Sequence, residues 1–254
     1  MRRTLAGRTI LVTRPAEQAG PLVRELERRG ARVLVAPTIR LMPARSAALT
    51  AALKELAAGR FDWITLTSAA TVDMLRDRLR SSRDVRAHVA VIGEGTAAAF
   101  RRWAGRDPDK QPTTFTTAAL ARAFPRGSGR VLCARADVAP EGLEDALARK
   151  GWETVRVDAY RTVFATSLPR EAREGLGRGE VDAVTFTSAS TVRGFVNARG
   201  SEATPGPSGG PPKEVCIGPV TAAAARDAGL PPAAVAQPHT LEGLVAALER
   251  ALPS

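Results

Sequence analysis

Two short blocks recur in this chain where a hydroxyl or an open backbone amide could hold an anion. Thr67-Ser68-Ala69-Ala70-Thr71-Val72 follows one apolar run, and Thr187-Ser188-Ala189-Ser190-Thr191-Val192 follows another. A Ser or Thr between a strand and a helix accepts hydrogen bonds from the orphan amides of the first turn. The second block is Ile-Gly-x-x-Thr-Ala, at Ile92–Ala97 and again at Ile217–Ala222. Here Gly93 and Gly218 read as tight-turn residues, and Thr96 and Thr221 enter the helices that follow. Arg14 and Arg135 stand just past two further apolar runs. In a parallel α/β sheet all these turns fall at the carboxyl edge, where ligands bind. Open amides and the helix dipole favour an anion there, by about 0.3–1 kcal/mol each when exposed. The plainer reading of any one block is a good helix cap. Four such ends with two arginines favour a shared anion site. The single tyrosine, Tyr160, lies in Asp158-Ala159-Tyr160-Arg161-Thr162. It reads either as an ordinary half-buried aromatic or, at a junction between domains, as a phenol that donates a proton.

Several other chemistries lack their residues. There is no G-x-G-x-x-G, no phosphate-binding G-x-x-x-x-G-K, and neither Ser68 nor Ser188 sits in a G-x-S-x-G elbow. Asp62 and Asp182 recur at equivalent strand starts and read as solvated carboxylates rather than an acid–base pair. Cys133 and Cys216 lie in apolar runs as small core residues, and His88 and His239 are too isolated for a metal site. No run approaches the ~20 apolar residues of a membrane span, and no leader pattern follows Arg2 and Arg3. A cytoplasmic protein is the expectation. The net charge of +11 arises from 37 basic and 26 acidic residues, and only four of the basic residues are lysines. That excess fits an anionic partner, or simply the arginine-rich usage of a GC-rich genome. Nucleic acid is disfavoured, because aromatics are 4% and Phe61, Trp63 and Phe186 fall in strands.

The elements that must position these residues are short β-branched runs alternating with Ala/Leu/Arg stretches of helical period. Strands are predicted at 9–12, 33–35, 61–66, 89–92, 131–134, 155–157, 181–186 and 215–217. A helix with Leu22, Val23 and Leu26 on one face is closed by Gly30. Strand, helix, strand in repetition predicts parallel sheets with helices on both faces. The chain also repeats: residues 7–14 return at 129–135, 22–30 at 143–151, 61–72 at 181–192 and 92–97 at 217–222. Two copies of one α/β unit of about 120 residues follow from that spacing. Breakers mark equivalent seams at 37–43 and 161–169. Residues 200–212 read as a mobile Gly/Pro/Ser loop of no catalytic interest. Periodicity alone leaves open whether the halves are contiguous or exchanged.

The opening Leu-Val-Thr-Arg-Pro, Tyr160-Arg161-Thr162, Phe-Thr-Ser-Ala-Ser-Thr-Val and Ile-Gly-Pro-Val-Thr-Ala, in this order, resemble the uroporphyrinogen-III synthase family over residues 7 to 250. The resemblance implies two similar flavodoxin/Rossmann-like α/β domains joined by a two-stranded β connection. Domain 1 would comprise 1–38 plus 168–254, domain 2 would comprise 45–158, and 39–44 and 159–167 would link them. It implies conversion of hydroxymethylbilane, a linear tetrapyrrole polycarboxylate, to uroporphyrinogen III in a cleft between the domains. Water is lost and ring D is inverted through a spirocyclic intermediate, without a cofactor and by a monomer. Tyr160 matches the family's tyrosine, a candidate proton donor to the departing hydroxyl. Thr96, Thr221 and Ser188 match its hydroxyl positions lining the cleft. Ser68, Gly93 and Gly218 join them as substrate-binding candidates from the repeated helix-start motifs, and Arg14 is added on charge grounds as a carboxylate partner. Ala136 after Arg135 departs from the family's usual glycine. The alternative is a non-enzymatic tetrapyrrole- or anion-binding sensor on the same scaffold.

Overall fold

The computed structural model of the chain describes residues 4–200 and 210–253; residues 201–209, most of the predicted loop at 200–212, lie outside it. The chain divides into two compact units, unit 1 comprising Met1–Arg40 with Val163–Ser254 and unit 2 comprising Leu41–Thr162. It passes from one unit to the other within two strands, β3 (Ile39–Pro43) and β7 (Glu153–Phe164), which are neighbours in one sheet.

Unit 1 is built on β1 (Thr9–Val12), β2 (Arg32–Val35), β8 (Ala183–Phe186), β9 (Lys213–Cys216) and β10 (Ala234–Val235). Their order across the sheet is β10-β9-β8-β1-β2, and each adjacent pair runs parallel. β1 is a run of four wholly buried residues, as a strand covered on both faces must be. Ile10 and Val12 face a core with Leu22 and Leu26 of α1 (Ala16–Arg28) and Leu244 and Leu248 of α10 (Leu241–Ala251). Leu11 faces the other side, with Phe186 and with Val192 and Phe195 of α8 (Ala189–Arg199). α1 ends at Arg28 with Arg29 as its C-cap, and Gly30 follows at φ 86, where a side chain would be strained. This is the predicted helix stop.

Unit 2 carries the sheet β3-β7-β6-β4-β5, with β4 (Trp63–Leu66), β5 (His88–Val91) and β6 (Arg130–Ala136). β5, β4, β6 and β7 are parallel, again between two layers of helices. One layer holds α2 (Ala47–Ala57), α3 (Ala69–Arg78) and α4 (Glu94–Ala104), and the other holds α5 (Thr117–Ala123) and α6 (Leu143–Ala148).

The two sheets share one arrangement entered at different points. β9-β8-β1-β2 in unit 1 corresponds to β5-β4-β6-β7 in unit 2. Each unit therefore draws one half from each sequence repeat, and a cut in mid-chain would separate β1 from its neighbour β8. Neither β3 nor β10 is among the strands predicted from periodicity. The limits of the others differ modestly, except that β7 runs for twelve residues where periodicity gives only 155–157. Its extension past Val157 is too mixed in polarity to read as a strand. Cys133 and Cys216 are free and fully buried, and burial pushes their thiols up to about 11 and about 12.

Asp62 and Asp182 are not simply solvated. Each carboxylate accepts from a backbone amide of the neighbouring strand, Arg130 N–H at 2.8 Å and Thr9 N–H at 2.7 Å. Both sit at the amino ends of strands, where they pin strand to strand, remote from the carboxyl edge of their own sheet.

Candidate anion site at the carboxyl edges of the sheets

In unit 1 the carboxyl ends of β1, β8 and β9 present Arg14, Ser188 and Gly218. Ser188 caps α8: its Oγ accepts from Thr191 N–H at 3.1 Å. Thr191 Oγ1 in turn accepts from Ser188 N–H at 3.2 Å and donates to Ser188 O at 2.7 Å. Thr191 Oγ1 also accepts from Thr187 N–H at 3.3 Å, so these bonds all stay within the one helix start. Gly218 caps α9 (Pro219–Asp227) with no side chain, Pro219 has no N–H, and Thr221 follows in the first turn, 5% exposed.

Arg14 lies between β1 and α1, whose cap residue Pro15 also lacks a side-chain acceptor. The guanidinium Nε and Nη1 are buried with no hydrogen-bond partner, and Nη2 has only a 3.5 Å contact with Gln18 Oε1. No carboxylate of the described residues pairs with it, and burial pulls this guanidinium below its ordinary value. This desolvated cation at the start of α1 has no acid beside it among the described residues, the state in which a buried charge is costly.

Arg135 occupies the matching place at the end of β6 in unit 2 and behaves oppositely. It is 1% exposed, donates to Pro140 O at 2.8 Å and forms an ion pair with Glu144 at 3.0 Å. The expectation that both strand-exit arginines serve an anion is corrected for Arg135: its charge is spent inside the unit. The acid that takes it, Glu144, lies in the first turn of the next element, α6.

Unit 2 brings two predicted residues together. Ser68 caps α3, accepting from Thr71 N–H at 3.3 Å, and its Oγ also lies 3.0 Å from Tyr160 Oη in a hydrogen bond. Burial pushes the phenol above its ordinary value and the Asp137 charge adds to this, while the Ser68 bond and Arg135 oppose. Tyr160 therefore keeps its proton at neutral pH and can donate it. Beside Ser68, Gly93 caps α4 without a side chain, and Thr96 follows in the first turn, 6% exposed. Gly93 has an extended backbone at φ −164, as does Gly218 at −174, so neither makes the tight turn expected of it. What Gly93 permits is close approach: a Cβ there would lie 3.1 Å from the Phe115 ring.

Asp137, which the sequence reading passed over, lies in the loop after β6 and bonds the β7 backbone just past the Tyr160 side chain, through Tyr160 O and Thr162 N–H. An acid two residues past a strand-exit arginine was the available signal.

A model of the uroporphyrinogen-III synthase HemD family matches residues 20–246. The chain belongs to the uroporphyrinogen-III synthase family. A uroporphyrinogen-III synthase of Synechococcus elongatus is 33% identical over 199 residues, 75% of this chain and 74% of that protein. One from Chlorobaculum parvum is 27% identical over 209 residues, 77% and 80% of the two chains. Among solved structures, a mutant uroporphyrinogen III synthase from the extremely thermophilic bacterium Thermus thermophilus superposes with a TM-score of 0.66 at 22% identity, covering 96% of this chain and 98% of that one. The last likeness concerns the fold alone.

Proposed function

We propose that this chain cyclises hydroxymethylbilane to uroporphyrinogen III, the reaction of its family, with Tyr160 as proton donor. The observation that carries the assignment is the family match over nine-tenths of the chain. The site reading is supported by a protonated, partly buried phenol beside the capping serine of α3.

The substrate's pyrroles are electron-rich, so ionising its hydroxymethyl group creates the electrophile. The C–O bond breaks as the pyrrole nitrogen supplies electrons, and Tyr160 Oη–H gives its proton to the departing oxygen, which leaves as water. The azafulvene is attacked by the substituted carbon of ring D. The spirocyclic intermediate reopens and recloses with ring D inverted, and the proton lost on rearomatisation returns the phenol to its starting state. Unassisted closure proceeds without inversion, so the protein's remaining task is to hold a conformation. For that it has the side-chain-free helix starts at Gly93 and Gly218, the Ser68, Thr96, Ser188 and Thr221 positions, and Arg14 as a partner for one carboxylate.

Among the described residues no helix is long and apolar enough to cross a membrane. We read the chain as a cytoplasmic monomer that does not bind nucleic acid; the scarcity of aromatics and the spending of arginines such as Arg135 on internal ion pairs support this. Light scattering and a salt-dependent shift assay with generic DNA test those two points.

The test of the main reading is isomer analysis of the product formed from enzymatically generated hydroxymethylbilane. Type III should dominate. Type I alone, as in the absence of protein, would sink the proposal and leave the binding-only sensor.

A further inference from the structure

We infer that Asp137 is a positioning residue for Tyr160, acting as the hydrogen-bond partner of the β7 backbone just beyond a bulge. This rests on the reading of Tyr160 as proton donor and deepens it.

The pairing of β6 with β7 is regular from Arg130 opposite Glu153 to Arg135 opposite Asp158, and then slips, so that Ala136 faces Tyr160. Ala159 is the extra residue. Burial records the consequence along β7. Before the slip the odd positions, Val157 and Ala159, point into the core, with Asp158 exposed. After it the even positions, Tyr160 and Thr162, point inward, with Arg161 and Val163 exposed. A one-residue slip exchanges the faces of every later side chain. Without this bulge the phenol would stand on the face away from Ser68.

A bulge persists only where its surroundings hold it, and here β6 ends at Ala136, beside the slip. Asp137 continues the ladder with its own groups. Its N–H donates to Tyr160 O at 3.1 Å, and its Oδ1 accepts from Thr162 N–H at 2.9 Å. The two bonds bracket the residues that the slip re-aims. Oδ1 also accepts from Val138 N–H at 2.9 Å, and Ala139 N–H bonds Ala136 O at 3.0 Å. Arg135 then clamps the loop from below through Pro140 O and Glu144. The carboxylate thus sits on a fixed support. The charged groups acting on the phenol are Asp137 and Arg135, and the neutral Ser68 hydroxyl bonds it directly.

The chain's single tyrosine makes the test specific, because one ring-labelled tyrosine gives one NMR signal. The variants Asp137→Ala, Asp137→Asn and Tyr160→Phe, and the double variant Asp137→Ala/Tyr160→Phe, are compared in turnover of enzymatically generated hydroxymethylbilane. Asp137→Ala should move the tyrosine signal and lower kcat about tenfold or more, with KM changed less than kcat. It should add almost nothing in the Tyr160→Phe background, because a residue that acts only through Tyr160 has nothing left to position. Asp137→Asn keeps an acceptor oxygen and should stay nearer to wild type, and it serves if the alanine variant does not fold. An unmoved tyrosine signal, or losses that multiply in the double variant, would overturn the inference. If Asp137→Ala moves the signal while Tyr160→Phe turns over normally, the positioning stands and the proton-donor role falls.

Discussion

Arg14 and Arg135 occupy the same place in two copies of one sequence unit, yet their electrostatics are opposite. Arg135 bonds Glu144 and Pro140 O through Nη1 and leaves only its Nε unpartnered, whereas Arg14 is half-buried with both Nε and Nη1 unpartnered and no carboxylate of the described residues beside it. The capping serines diverge in the same way. Among the described residues the Ser188 hydroxyl bonds only within its own helix start, to Thr191, while the Ser68 hydroxyl reaches beyond its own helix to Tyr160. One unit thus keeps an unspent cation at its edge, and the other keeps an unspent proton. The same helix starts occur twice in the sequence, and three residues of unit 2, Glu144, Asp137 and Tyr160, set the two edges apart.

The comparison can be broken by substitution. The largest effect is expected at Arg135. Replacing it with Met strands Glu144 in a mostly buried position and should cost about 3–5 kcal/mol of stability, measured by denaturant unfolding. The matching Arg14→Met should leave stability unchanged or slightly higher, since it removes a desolvated cation that has no acid partner. If both variants lose equal stability, the contrast between the two arginines is wrong.

Next is Tyr160→Phe, for which turnover should fall about 10²-fold, the ordinary scale of a lost general acid. The phenol's raised value also fixes the sign of its pH dependence. Its proton is held through neutral pH, so an alkaline limb due to this group should appear only above pH 10. The stability tied to that protonation is likewise complete below pH 10 and is lost as pH rises through the folded value. Loss of activity at pH 8 that disappears in Tyr160→Phe would contradict this.

Arg14→Met should also raise KM about tenfold with little change in kcat, because one charge-assisted hydrogen bond contributes on the order of 1.5 kcal/mol. Steady-state kinetics read this, and an unchanged KM removes Arg14 from substrate binding. The smallest effects belong to the serines. Ser68→Ala and Ser188→Ala should each cost about 1 kcal/mol as lost caps. Only Ser68→Ala should also lower kcat, through Tyr160. Equal kinetic effects would erase the distinction between the two caps.

Much of this was legible in the sequence. Strand–turn–helix alternation, the four repeated blocks and the Gly30 stop are local signals, and the hydroxyl caps follow from residue type at a strand exit. What exchanged halves between the repeats was not local. β1 pairs with β8 through contacts about 170 residues apart, and no periodicity encodes which of two similar strands becomes a neighbour. Two finer errors have the same origin. Arg135 read as an anion ligand because Glu144 is nine residues away and their meeting depends on how the loop turns. Gly93 read as a turn residue because its real neighbour, Phe115, comes from a distant segment. The bulge that aims Tyr160 is a relation between two strands, invisible in either alone.

The most direct test of the account is the fraction of type III isomer formed from hydroxymethylbilane by the wild-type chain and by Tyr160→Phe, side by side at equal protein concentration. Wild type should give type III almost alone, and Tyr160→Phe should let type I accumulate as spontaneous closure overtakes the slowed enzyme. Type I from the wild-type chain, or identical type III rates from both proteins, would contradict it.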